Sequence, residues 1–177
     1  MKKTLVSIAV IGLFAGAAQA SDGVITFKGQ LTAATCAASV NNGGGDATVT
    51  LPATPVNILD GAGKTAGTTN FTISLNGCSS NTGARTFFEN GSMVNSSTGR
   101  LLNALTSGLG GADNVELELL GDLGDPIFVG SDTQYSAPYA PIVNGAATLN
   151  YAVRYYATGV TTPGGVGSMV SYTMDYQ

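Results

Sequence analysis

The chain has 177 residues, 44% of them hydrophobic and only 10% charged, with 25 glycines, no histidine and a net charge of −4. An acidic balance argues against nucleic acid as a partner, because phosphates are held by basic surfaces. Without imidazole, serine and cysteine nucleophiles lack their usual base and zinc or copper its commonest ligand, so most hydrolase and metal chemistry is disfavoured.

Lys2 and Lys3, an apolar run from Leu5 to Ala17 and then Ala18-Gln19-Ala20 read as a secretory leader, residues 1–20, with the mature chain starting at Ser21. The run is too short to span a bilayer, and no later stretch reaches the ~20 apolar residues a span needs, so no membrane insertion is expected. The mature 157 residues carry five basic and eleven acidic side chains, a net charge of −6, and are the size of one domain. Cys36 and Cys78 are the only cysteines, and in an exported chain such a pair is expected to form a disulfide.

Next comes Gly23 to Leu31, where Ile25, Phe27, Gly29 and Leu31 fall on one face of an alternating segment that periodicity alone would accept as an ordinary first strand. Further alternating runs follow at Ala47 to Leu51, Phe71 to Leu75, Arg85 to Phe88, Val115 to Leu120, Ile127 to Val129 and Leu149 to Tyr156. Turn signals separate them at 41–46, 60–63, 108–111 and Asn144-Gly145, the last predicting a hairpin between a strand ending near Val143 and the one leading to Tyr156. A short helical turn is expected around Leu101 to Leu105. The pattern is all-β, and an immunoglobulin-like sandwich suits it better than a barrel.

The final stretch, Met169 to Tyr176, is predicted to be a strand with Val170, Tyr172, Met174 and Tyr176 on one face and Met169, Ser171, Thr173 and Asp175 on the other. No later segment is available to cover its edge. A strand with a row of large apolar side chains and unpaired backbone is an aggregation hazard unless another strand pairs with it. A partner strand is therefore expected.

Candidate chemical sites are weak. Glu116 and Glu118 lie two apart on a strand and are expected on a solvated face rather than as a glycosidase pair. Asp122 and Asp125 suit a plain turn better than a calcium loop, and Gly108-Leu-Gly-Gly111 lacks the lysine and the strand-then-helix setting of a phosphate loop. Asn70-Phe-Thr72, Asn90-Gly-Ser92 and Asn95-Ser-Ser97 match the glycan acceptor pattern, which is common by chance. No catalytic residue, metal ligand or cofactor is assigned.

Three patches together resemble the pilin subunits of chaperone-usher fimbriae, above all major shaft subunits of the type 1 group. They are Gly23-Val-Ile-Thr-Phe-Lys-Gly-Gln-Leu31 with Thr35-Cys36, then Arg154-Tyr-Tyr-Ala-Thr-Gly159 with Thr162-Pro-Gly164, and the tail with Gly164 fourteenth from the end and Tyr176 penultimate. With the leader and the cysteine spacing, the likeness spans the mature chain. The resemblance implies an incomplete immunoglobulin-like sandwich, residues 34–177, with six of seven strands, completed by donor-strand exchange. It further implies that residues 21–33 are a donor extension, with Ile25, Phe27 and Leu31 filling pockets and Gly29 over a shallow position. Gly164, Val170, Tyr172, Met174 and Tyr176 would form the acceptor edge that a periplasmic chaperone recognises first, before a neighbouring copy replaces it at an outer-membrane usher. Only Ser21 and Asp22 precede Gly23, a short extension for this group.

The resulting expectation is a structural subunit of a surface fimbrium, a homopolymer exported through the periplasm and supporting cell adhesion. The alternative is a minor adaptor or adhesin subunit that binds a host carbohydrate or protein. A small outer-membrane barrel fits less well, because the strands are short and aromatic residues are sparse.

Overall fold

The computed structural model describes residues 36–79, 82–105 and 107–177. The leader and the segment carrying Ile25, Phe27, Gly29 and Leu31 lie outside the described residues. In chain order the strands are β1 (Ala37–Val40), β2 (Thr65–Asn76), β3 (Gly83–Phe88), β4 (Leu101–Leu102), β5 (Val115–Leu120), β6 (Ala140–Pro141), β7 (Ala146–Ala157) and β8 (Tyr172–Tyr176). They form two antiparallel sheets, ordered β1-β2-β7-β5-β4 and β6-β3-β8. The all-β sandwich expected from the alternation is present.

Its spine is the β2–β7 pair, twelve residues each, in which Phe71 lies opposite Tyr151 and Ile73 opposite Leu149. Period-two alternation places Phe71, Ile73 and Leu75 on the inner face, and Ile73 and Leu75 are at most 1% exposed. Tyr151 packs against Phe71 at 5.6 Å and edge-on against Phe88 of the second sheet at 5.2 Å, joining the two layers. The β2–β7 register slips between Ala66 and Thr69, where Gly67 has φ 66°, and a Cβ there would lie 2.7 Å from the Tyr155 ring. Glycine is needed both for the bulge and for that close approach. The Cys36–Cys78 disulfide closes as expected, beside the Ala37–Asn76 end of the β1–β2 ladder.

Several expectations are corrected. Asn144 and Gly145 both adopt positive φ and close a two-residue turn bridged by Val143 and Ala146. The strand before it does not continue along β7, however: β6 pairs with β3, so the turn carries the chain from one sheet to the other. Leu101 and Leu102 form β4 against β5 instead of a helical turn, because Leu101 is drawn into the core. Ile127 to Val129 forms no ladder and is held by single bonds to Leu119 and Gly99. The 47–51 segment is in no sheet, and the C-terminal ladder starts only at Tyr172.

Glu116 and Glu118 are also not solvated, being 7% and 5% exposed. Glu116 pairs with Arg100 at 2.7 Å and accepts from Asn95 Nδ2. Glu118 pairs with Arg154 at 2.6 Å and approaches Arg100 at 3.7 Å. Arg100 in turn lies over the Tyr156 ring at 3.7 Å, so the outer face of β5 is roofed by cations and an aromatic.

Edges of the second sheet are treated unequally. Beyond its short pairing with β6, the edge of β3 is sealed by the buried side chain of Gln134, whose Oε1 accepts from Phe88 N–H and whose Nε2 donates to Phe88 C=O, both at 3.0 Å. On the other side β8 pairs with β3 alone, and among the described residues its outer edge has no partner.

Candidate strand-acceptor groove

That open edge forms one rim of a groove that exposes the core. The rim runs from Gly164 to Met174, and the facing rim from Gly45 to Val56. Among the described residues, no backbone-to-backbone hydrogen bond reaches 46–54. The floor between them consists of core side chains, including Phe71, Ile73, Leu117, Leu119 and Val153. Val170, Tyr172 and Met174 point inward from one rim, Val49 and Leu51 from the other, and all five pack on the core while staying half-exposed.

The groove has two compartments. The larger, about 900 Å³, lies between 45–51 and 168–174, and the smaller, about 380 Å³, between 53–59 and 161–166. Residue numbers rise along one rim as they fall along the other, so the rims are antiparallel. Tyr155 forms the ridge between the compartments: its hydroxyl donates to the carbonyl of Pro52, the rim residue where one compartment gives way to the other, at 3.3 Å. Tyr172 ties the rims at the far end of the larger compartment, donating to the Gly45 carbonyl at 3.0 Å. Burial pushes both phenols above their usual value, with Asp46 and Tyr176 adding to the effect at Tyr172. On the Gly164–Met174 rim, Ser168 Oγ is buried without a partner among the described residues.

The acceptor residues expected from the sequence come together. Tyr172, Met174 and Tyr176 lie on β8 in register with Phe88, Thr86 and Ala84, while Thr173 and Asp175 face outward, where Arg85 pairs with Asp175 at 2.7 Å. Val170 extends the same inward face beyond the ladder. Gly164 has a steric reason to be glycine: a Cβ there would lie 2.4 Å from Ala112 N, because this rim is pressed against 110–112 by the bonds of Gly165 to Gly110 and Ala112. The ridge residue Tyr155 and the facing rim residues Val49 and Leu51 were not singled out as site residues. The alternation of Leu149, Tyr151, Val153 and Tyr155 on one face of β7 was the available signal for the ridge.

Among the described residues no cluster of three or more metal-ligating side chains is present, and the groove carries no convergent set of acids, bases or nucleophiles. It is an apolar slot beside the unpartnered outer edge of β8, a geometry suited to an extended chain.

Comparison with known proteins identifies the family. The sequence profile of the family described as FimA, type-1 fimbrial protein A, matches residues 51–177. The chain is 42% identical to the major fimbrial subunit SMF-1 of Stenotrophomonas maltophilia (strain K279a), over 90% of this chain and 95% of that one. It is 38% identical to the F17 fimbrial protein of Escherichia coli, over 95% and 97%. Among solved structures, an antigen and type I fimbria protein of Burkholderia pseudomallei superposes with a TM-score of 0.57 at 29% identity, covering 81% of this chain and 95% of that one. The P pilus rod subunit PapA, at 16% identity, shares the fold with a TM-score of 0.58 over 80% and 99%.

Proposed function

The chain belongs to the type-1 fimbrial protein family, and we propose that it is the repeating structural subunit of a surface fimbrium, each copy inserting residues 21–33 into the groove of its neighbour. The observation that carries this reading is the groove itself, an exposed core between the outer edge of β8, which has no strand partner among the described residues, and the 46–54 stretch, which makes no backbone-to-backbone hydrogen bond. As a fimbrial subunit it is a structural protein and not an enzyme.

The donor pattern complements the compartments. Ile25 and Phe27 supply two large side chains for the larger one, Gly29 passes over the Tyr155 ridge, and Leu31 enters the smaller one. This order places the start of the donor beside Tyr172 to Met174 and its end beside Gly164, antiparallel to β8, which extends the sheet in the sense it already has. A backbone running there would also bring polar groups past Ser168 Oγ. Before assembly the same groove would be occupied by a strand of a periplasmic chaperone, displaced by the incoming extension at an outer-membrane usher, and the finished polymer lies outside the cell. The homopolymer would hold its receptors at a distance and so support adhesion.

Phe27→Asp tests the reading. The variant should fold and accept a donor but not insert into a neighbour, so that mixed with the unsubstituted chain it caps growth and shortens fibres. Fibres of normal length and number from the variant alone would overturn the donor assignment.

A further inference from the structure

Around the mouth of the smaller compartment three segments expose large apolar side chains: Ile58 is 50% exposed, Val160 68% and Leu109 84%. Backbone bonds tie their segments to the two rims of that compartment: Leu59 C=O accepts from both Thr161 N–H and Thr161 Oγ1, linking the residues that follow Ile58 and Val160, and Gly110, next to Leu109, bonds Gly165. This is the end of the groove beyond Gly164, away from Tyr172.

What meets this end follows from chain length, given the donor reading above. If Leu31 of an incoming copy sits in the smaller compartment, five residue steps lead to its Cys36, at most ~17 Å of extended chain. The body of the donor copy begins there. Cys36 is bridged to Cys78, whose N–H donates to the Gly145 carbonyl in the turn between β6 and β7, and that turn exposes Val143 to 61%. The tether therefore brings the Val143–Gly145 turn, with its exposed valine, within reach of an apolar mouth. We propose that Ile58, Leu109 and Val160 of one copy dock the Val143–Gly145 turn of the next copy, a body-to-body contact in addition to the inserted strand. Such a contact is head-to-tail and uses different surfaces on each copy, so it repeats along a filament without closing.

Fibres assembled from the mature chain carry the test, with dissociation followed in urea alongside binding of a synthetic peptide of residues 21–35. Val160→Asp on the mouth and Val143→Lys on the turn are each expected to speed dissociation roughly tenfold. Combined in one chain, their opposite charges are expected to return the rate toward that of the unsubstituted fibre. Peptide binding should be unchanged throughout, since neither side chain lines the groove; Leu109→Asp replaces Val160→Asp should the latter fail to fold. Single variants that dissociate at the parent rate, or a combination that shows no recovery, would overturn the body contact while peptide binding leaves the donor reading standing. Failure of the unsubstituted chain to bind the peptide would overturn both.

Discussion

Residues 21–35 copied after Gln177 through a short turn should convert a polymerising chain into a stable monomer. The antiparallel register proposed above makes this feasible with only a few added residues, because the donor would begin beside β8, the strand that ends at Tyr176. The informative quantity is the difference between two such monomers, one carrying Phe27→Ala in the appended copy. Phe27 would be enclosed by Phe71, Ile73, Leu117, Leu119 and Val153 in a compartment of about 900 Å³, and removing a buried phenylalanine costs about 3–5 kcal/mol. At about 2–4 °C per kcal/mol for a domain of this size, the melting temperature should fall by roughly 6–20 °C. Calorimetry with size-exclusion chromatography reads both the shift and the monomeric state. A fall of no more than ~2 °C, the scale of an exposed substitution, would refute the enclosure of Phe27 and the groove register built on it.

Gly29→Leu should block assembly more severely than Ile25→Ala, because a side chain would strike the Tyr155 ridge instead of leaving a gap; competition by peptides of residues 21–35 for the groove measures this, and equal competition by the Gly29→Leu peptide would remove the ridge from the account. Arg154→Ala should destabilise the sandwich by about 3 kcal/mol or more, since Glu118 is 5% exposed and keeps only the longer Arg100 contact; urea unfolding checks it. Burial raises the folded-state values of Tyr151, Tyr155 and Tyr172 above 10.0, the ordinary value. Their neutral forms thus favour folding fully below pH 10, and that contribution is lost as the pH rises past 10 and through the folded values; thermal melts across this range should show stability falling on the alkaline side.

Legibility of the fold in the sequence followed the physics of each segment. Val170 to Tyr176 was readable because one face touches core and the other touches water, and such a strand must alternate. The 47–51 run has the same alternation, so it reads as a strand, yet it joins no sheet; periodicity reports which face is buried and says nothing about whether a ladder partner exists. Glu116 and Glu118 misled because two carboxylates on a strand suggest solvent, and the arginines that neutralise them, Arg100 and Arg154, come from other strands that only the tertiary fold brings near. Leu101 reads as part of a helical turn because a two-residue strand leaves too short a trace for any period. The Asn144-Gly145 turn was legible in its local chemistry, while its change of sheet was not, since a turn fixes direction and not partner.

Gln134, by standing in for a strand along β3, limits the valence of the molecule. With that edge closed, and the outer strands β1 and β4 only four and two residues long, β8 is left as the extended site for backbone association. Under the proposed assembly the unit would have one socket and one plug, a functionality of two, and such units produce linear chains without branches or networks. In that assembly the geometry of a thread, as opposed to a gel, would depend in part on one amide side chain on the side of the sheet opposite the socket.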